Sequence, residues 1–265
     1  MPGGESTTGP ERRGRSAKPA DFLRIAHRGA SAERPENTLA AFRRALELGA
    51  GMIECDLHLC SDGHVVVIHD AKLDRTTDGR GPVRELPLGE IRRLDAGRWR
   101  GAEFAGERVP TLEETLDLVL PRAMLNLELK SEGEDARMLA LETVAAVSQR
   151  RELERVVFSS FDMPTLVRVR EASPHAQIGV LWEGPHLEEA YLRARELGAI
   201  SLHPRGDNVT PELIAWAHER GLLVYTWTVD SRERIIELVK EGVDGVISNY
   251  PGRLLEARAQ LLGDS

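Results

Sequence analysis

Glu54 and Asp56 stand two residues apart in the run Glu54-Cys55-Asp56-Leu57-His58, and a second run, Val65-Val66-Val67-Ile68-His69-Asp70, follows closely. A strand sends alternate side chains to one face, so Glu54 and Asp56 point the same way. Ser61-Asp62-Gly63-His64 separates the runs, and Asp-Gly between apolar stretches marks a hairpin. Folding about Asp62-Gly63 is expected to bring His69 roughly opposite Asp56. Two carboxylates and an imidazole would then share one patch, the makings of a cation site with an acid or base beside it. Glu128 and Lys130 repeat the two-residue spacing further on. Glu54, Asp56 and Glu128, with no cysteine or paired histidine among them, form a hard oxygen donor set. That set suits one divalent cation, Mg²⁺ or Ca²⁺, better than zinc. Arg28 and Lys130 supply positive charge for an anionic group, and a planar guanidinium can grip phosphate through two bonds. His27 and His69 are the acid/base candidates, because imidazole titrates near neutrality. Together these groups point to a phosphate ester as substrate.

Such a constellation needs a scaffold that collects strand ends. Short apolar runs occur at Phe22–Ala26, Met52–Leu57, Leu125–Leu129, Val156–Ser159, Ile178–Trp182, Ile200–His203, Leu222–Thr228 and Gly245–Ser248. Amphipathic stretches at Asn37–Leu48, Glu134–Gln149, Pro164–Ala172, Leu187–Leu197, Pro211–Arg220 and Arg232–Lys240 separate most of them. Asn37 reads as an N-cap, Gly49 and Gly221 as helix stops. Eight strands alternating with helices predict an α/β fold, a (β/α)8 TIM barrel, in which reacting groups sit at the C-terminal ends of the strands. His27-Arg28-Gly29, Glu54/Asp56, Glu128/Lys130, His203, Trp227 and Tyr250 all fall at such ends. Gly29 lets the chain turn, so that His27 and Arg28 can both reach the centre. Trp227, an aromatic at the barrel rim, reads either as plain packing or as a wall that holds the uncharged part of a ligand, and His58 is expected to support Asp56. His64, His175, His186 and His218 read as surface or helix residues. The second strand has no prompt helix. A Gly/Arg-rich insertion of about residues 71–110 intervenes and ends at Thr111-Leu112-Glu113-Glu114, a capping-box pattern.

Composition sets the limits. The chain has 265 residues and a formal net charge of −8, which disfavours nucleic-acid binding. Residues 1–20 are rich in Gly, Pro, Ser, Thr and Arg and read as a disordered tail without a signal-peptide apolar region, leaving 21–260 for the barrel. No apolar run is long enough for an integral membrane segment. The two cysteines, Cys55 and Cys60, face opposite ways on a regular strand and are not expected to pair. A cytoplasmic enzyme acting on a small molecule is the expectation.

The ordered set of motifs resembles the glycerophosphodiester phosphodiesterase family. It comprises His27-Arg28-Gly29, Pro35-Glu36-Asn37-Thr38, Glu54-x-Asp56-x-His58, Asp62-Gly63 through His69-Asp70, and Leu73-x-Arg75-Thr76-Thr77. Val109-Pro110-Thr111-Leu112, Glu128-Leu129-Lys130 and Trp227-Thr228-Val229 complete it. The resemblance runs from about Arg24 to Pro251. It implies hydrolysis of glycerophosphodiesters to sn-glycerol 3-phosphate and an alcohol. It also implies a divalent metal on Glu54, Asp56 and Glu128, a catalytic pair in His27 and His69, and phosphate contacts from Arg28 and Lys130. Two positions depart from the pattern: Cys60, where Thr is more common, and Asn249, where Asp is common. Both are expected to lie outside the catalytic set. Two other functions would use similar parts. A lysophospholipase D would need an apolar groove or interfacial helix, which is not evident, and a noncatalytic phosphate-binding barrel would be expected to lack one of the metal or histidine positions.

Overall fold

The computed structural model describes residues 21–131, 135–184 and 187–263. Eight parallel strands close on themselves in the order β1 (Leu23–His27), β2 (Met52–Leu59), β4 (Met124–Leu129), β5 (Val156–Ser160), β6 (Gln177–Trp182), β7 (Ser201–Pro204), β8 (Leu223–Thr226) and β9 (Gly245–Ser248). Pairings of β1 with both β2 and β9 complete the ring. The short strand β3 (Val65–Val67) runs antiparallel to β2 and stands outside the barrel. All eight apolar runs of the sequence are barrel strands, and the protein is a (β/α)8 barrel.

Alternation along each strand separates two cores. Ile53, Cys55 and Leu57 on β2 pack outward with Phe158, Leu125 and Leu127 against the helices. Ile25, Met52, Val157, Tyr225 and Ile247 fill the inside of the barrel. The inward positions nearer the strand ends carry polar groups instead, and the register brings them together. His27 lies beside Glu54, Glu54 beside Asn126, and Asp56 beside Glu128 on adjacent strands, a separation of roughly 4.8 Å.

The helical ring contains α1 (Leu39–Glu47), α3 (Leu112–Val119), α4 (Ala136–Gln149), α5 (Met163–Ala172), α6 (Leu187–Leu197), α7 (Pro211–Glu219), α8 (Arg232–Glu241) and α9 (Pro251–Gly263). Residue 134, where the sequence pattern would start α4, lies outside the described residues, as do His186 and the tail 1–20. The α9 helix, not separated from the sequence, buries Leu254, Ala257 and Leu261 along one face. The capping box of α3 forms as expected: Glu114 N–H donates to Thr111 Oγ1 (3.2 Å), and Thr111 N–H donates to Glu114 Oε2 (3.0 Å). The cap of α1 does not. Thr38, not Asn37, accepts from Ala41 N–H (3.2 Å), and Asn37 has a left-handed backbone (φ 55°) one residue earlier.

The hairpin is offset by one residue from the expected fold. Cys60 N–H donates to His64 O (2.8 Å), and Leu57 pairs with Val67, so that Ile68 lies opposite Asp56 and donates its N–H to Asp56 O (2.9 Å). The loop therefore has three residues, centred on Asp62, where the sequence reading folded about Asp62-Gly63. The apolar run of β3 has two partners. Val65 and Val67 join the main core, while Val66 and Ile68 face a separate cluster with Cys60, Leu73, Val83, Ile91, Ala96 and Val109. That cluster anchors the segment after the hairpin, which contains one short α-helix, α2 (Leu88–Ile91), between two single 3-10 turns, Val83–Glu85 and Ala102–Phe104. Cys55 and Cys60 are both free and buried in different cores.

Candidate active site

The strand ends place Glu54, Asp56 and Glu128 so that one oxygen of each lies within 4.8 Å of the others. All three are buried. Next to them the chain turns sharply: Arg28 (φ 54°) and Gly29 (φ 80°) are both left-handed. A Cβ on Gly29 would stand 2.7 Å from the Ala41 carbonyl carbon, so only glycine lets this turn press against α1. The turn aims Arg28 N–H at Glu54 Oε2 (3.0 Å) and brings the Arg28 side chain back over Asp56, with Nε 3.1 Å from Oδ2. Lys130 Nζ sits 2.5 Å from Glu128 Oε1 and 3.2 Å from Asp56 Oδ1. These charge contacts do not satisfy every oxygen. Glu54 Oε1 is buried without a hydrogen-bond donor among the described residues, and Asp56 Oδ1 has only the Lys130 ammonium beside it, a costly state for ionised carboxylates. A divalent cation with hard oxygen ligands fits this donor set and would satisfy Glu54 Oε1.

The carboxylates differ in acidity. Burial, with repulsion from Asp56 and Glu128, pushes Glu54 well above the ordinary range. Burial and the Asp56 charge raise Glu128 to about 7 against the pull of Lys130. Burial also works to raise Asp56, but Arg28, Lys130, His69 and the Asn37 amide outweigh it and hold Asp56 low. Asn37 is the unforeseen member. Its Nδ2 donates to Asp56 Oδ2 (2.8 Å) and its Oδ1 accepts from Asp56 N–H (3.4 Å). The signal for it was present in the Glu36-Asn37-Thr38 motif, where Asn tolerates φ > 0 better than other side chains.

Each histidine has its own partner. His27 Nδ1 is 2.7 Å from Asn249 Oδ1. Asn249 Nδ2 donates to Asp230 Oδ2 (2.7 Å), which fixes the amide with its oxygen toward the ring. The Nδ1 atom of His27 is therefore the donor, and Nε2 carries the lone pair, 3.9 Å from Glu54 Oε2. Burial and the nearby Arg28 charge lower His27 to about 4, so the ring is neutral at neutral pH. Asn249 thus stands in the site, where the sequence reading had set it aside. His69 Nδ1 lies 2.6 Å from Asp70 Oδ1. His58 donates from Nε2 to the His69 carbonyl (3.0 Å); it supports the backbone of His69 and not, as expected, Asp56.

His27, Arg28, Glu54, Glu128, Lys130 and His69 line a cavity of about 270 Å³, closed on the far side by Phe161, Leu181, Trp227 and Ile247. Trp227 meets Phe161 edge to face at 5.4 Å and donates its indole N–H to His203 O (2.7 Å). Phe161 escaped the sequence reading because a lone aromatic after a strand has no distinguishing spacing. A larger cavity of about 620 Å³ opens on the other side of His69 and Lys130, bordered by Asp70, Lys72 and Arg84. His203 and Tyr250 line neither. His203 is fully buried inside the barrel, bonded to Ser201 Oγ (2.8 Å), and burial lowers it to about 3. Tyr250 is exposed beneath the Arg253 guanidinium, 3.8 Å away. His64, His175 and His218 are exposed, as expected.

Comparison with known proteins adds a family to this geometry. Residues 27–253 match the model of the glycerophosphoryl diester phosphodiesterase family. A glycerophosphodiester phosphodiesterase of Caldanaerobacter subterraneus subsp. tengcongensis is 43% identical over 234 residues, spanning 88% of this chain and 96% of the relative. A glycerophosphodiester phosphodiesterase of Bacillus altitudinis is 34% identical over 89% of this chain and 98% of its own. Among solved structures, a phosphodiesterase of Oleispira antarctica in complex with the product sn-glycerol-3-phosphate superposes with a TM-score of 0.84 at 32% identity, covering 88% of this chain and 95% of that one.

Proposed function

This chain belongs to the glycerophosphoryl diester phosphodiesterase family and is a glycerophosphodiester phosphodiesterase; on that premise we propose that it releases sn-glycerol 3-phosphate by divalent-metal-assisted, two-histidine acid/base hydrolysis. The observation that carries the proposal is the buried triad Glu54, Asp56 and Glu128, with Glu54 Oε1 lacking a donor, beside a cavity that holds both histidines and two cationic side chains. The product bound in the Oleispira antarctica structure supports the same substrate class.

Glu54, Asp56 and Glu128 would hold Mg²⁺ or Ca²⁺. Such a cation, when bound, supplies Lewis-acid polarisation of a phosphoryl oxygen. Arg28 and Lys130 add fixed positive charge that complements the phosphate as negative charge builds up on it. His27, neutral and with its lone pair on Nε2, accepts the proton of the attacking hydroxyl, from water or from the glycerol 2-hydroxyl. The new O–P bond forms as the bond to the alcohol oxygen breaks; attack by water gives sn-glycerol 3-phosphate directly, and attack by the 2-hydroxyl gives a cyclic phosphate that a water then opens to the same product. His69, its Nδ1 held against Asp70 Oδ1, gives a proton to the departing alkoxide. The cavity beside Trp227 and Phe161 suits the glycerol unit, and the wider cavity beyond His69 receives the alcohol.

The test is to incubate the purified protein with glycerophosphocholine, and separately with lysophosphatidylcholine, in Mg²⁺, Ca²⁺ or EDTA while following glycerol 3-phosphate from the first and choline from both. Release from glycerophosphocholine with a cation and none in EDTA is expected. Undiminished release in EDTA would overturn the metal assignment, and preference for the lysophospholipid would make the protein a lysophospholipase D.

A further inference from the structure

We propose that Arg75 is a positioning residue for the leaving-group step, holding Asp70 on His69 while tying that carboxylate, through Glu36, to Arg28. The inference rests on the reading of His69 as the leaving-group acid.

Arg75 uses both edges of its guanidinium. Nε and Nη2 donate to Asp70 Oδ2 (2.7 Å) and Oδ1 (3.0 Å), while Nη1 and Nη2 donate to Glu36 Oε2 (3.0 Å) and Oε1 (2.8 Å). Each carboxylate then serves a second group. Asp70 Oδ1 is also the partner of His69 Nδ1 (2.6 Å), and Glu36 Oε1 also accepts from Arg28 Nη1 (2.9 Å). One planar fork thus closes an unbroken chain of contacts from His69 through Asp70, Arg75, Glu36 and Arg28 to Asp56.

The partners come from different parts of the fold. Glu36 precedes α1, Asp70 follows the hairpin, and Arg75 lies in the segment that packs on the separate apolar cluster through Leu73. Asp70 is partly exposed, so a lone hydrogen bond to His69 would compete with water. Bidentate pairing removes that freedom, and it requires the guanidinium: a lysine ammonium is a point charge without the fork that spans two carboxylates. Arg75 itself lines neither cavity next to the histidines. It acts through Asp70 and Glu36.

A structural staple and a positioning residue differ in one respect. Only the second should matter more when the leaving group needs a proton. The experiment compares wild type, Arg75→Ala, Arg75→Lys and His69→Ala on two diesters of glycerol 3-phosphate, the choline ester and the 4-nitrophenyl ester, with the cation that supports turnover. Nitrophenolate departs without protonation. Positioned acids contribute roughly 10²–10⁴-fold, so loss of positioning should lower kcat on the choline ester by roughly 10–100-fold and on the nitrophenyl ester by under about 3-fold. Arg75→Lys should behave like Arg75→Ala, and added guanidinium, but not methylammonium, should restore part of the choline-ester activity of Arg75→Ala. Equal losses on both esters, or no loss, with His69→Ala selective as expected, would overturn the role of Arg75 alone. A His69→Ala variant without leaving-group selectivity would overturn the acid assignment of His69 and the inference with it.

Discussion

Replacing Glu128 with glutamine should stabilise the cation-free protein, although it deletes an ion pair. Glu128 touches Lys130 at 2.5 Å, and removal of a buried ion-pair partner usually destabilises. Here the balance goes the other way. Burial and the charge of Asp56 raise Glu128 from 4.5 to about 7 even with the attraction of Lys130 included. Lys130 also keeps Asp56 as a partner at 3.2 Å. A carboxyl with a folded-state value above its unfolded one binds extra protons when folded, so stability falls as pH climbs from about 4.5 through about 7. The difference amounts to about 3 kcal/mol at pH 8 and under about 1 kcal/mol at pH 5. Glutamine has the shape of the protonated acid and should recover that amount in EDTA at pH 8. For a domain of this size, that is a rise of roughly 6–12 °C in Tm, against little change at pH 5. The cation should reverse the order. Wild type gains stability by mass action in Mg²⁺ or Ca²⁺, about 2.7 kcal/mol at a hundred times Kd, while Glu128→Gln, with one charged ligand fewer, gains much less. Calorimetry of both proteins at pH 5 and pH 8, with EDTA or either cation, reads all of these. A Glu128→Gln protein less stable than wild type in EDTA at pH 8, or one stabilised by cation as strongly as wild type, would refute the reasoning.

Three further outcomes follow from particular contacts. Asn37→Ala removes a hydrogen bond to a buried carboxylate and places alanine at φ 55°; urea unfolding should show a loss of about 2–4 kcal/mol, and Asn37→Gly, free of the backbone cost, should lose less. Asn249→Leu leaves His27 Nδ1 without its acceptor and frees the ring tautomer. Its kcat on glycerophosphocholine should fall roughly 10–100-fold with KM nearly unchanged, and a rise in KM alone would assign Asn249 to binding. Gly179→Ala would set a Cβ 2.5 Å from His203 Nε2 inside the barrel. Thermal unfolding should report a loss of about 1–3 kcal/mol, and a neutral result would mean that the His203 ring can move.

The barrel and the polar side chains gathered at its strand ends were legible in the sequence because both are written in local signals. A period-two apolar pattern marks a strand whatever it later pairs with, and three acidic side chains at inward positions near strand ends have few uses other than binding a cation. The eight strand runs and the candidate site residues His27, Arg28, Glu54, Asp56, His69, Glu128, Lys130 and Trp227 came from such signals, and the fold brings these eight side chains to one region. The partners of these residues were not legible. The hairpin register turned on one residue, since folding about Asp62 and folding about Asp62-Gly63 are nearly equivalent in a sequence. Asn37 read as a helix cap because its carboxylate partner is 19 residues away. His58 serves the His69 backbone, 11 residues on. Arg75 reaches Glu36 across 39 residues, and Asn249 reaches His27 across 222. A sequence determines which groups exist and how each strand faces. Which nitrogen of a histidine bears its proton, and which carboxylate is held low while its neighbours are pushed up, depends on contacts made only when the ring of strands closes.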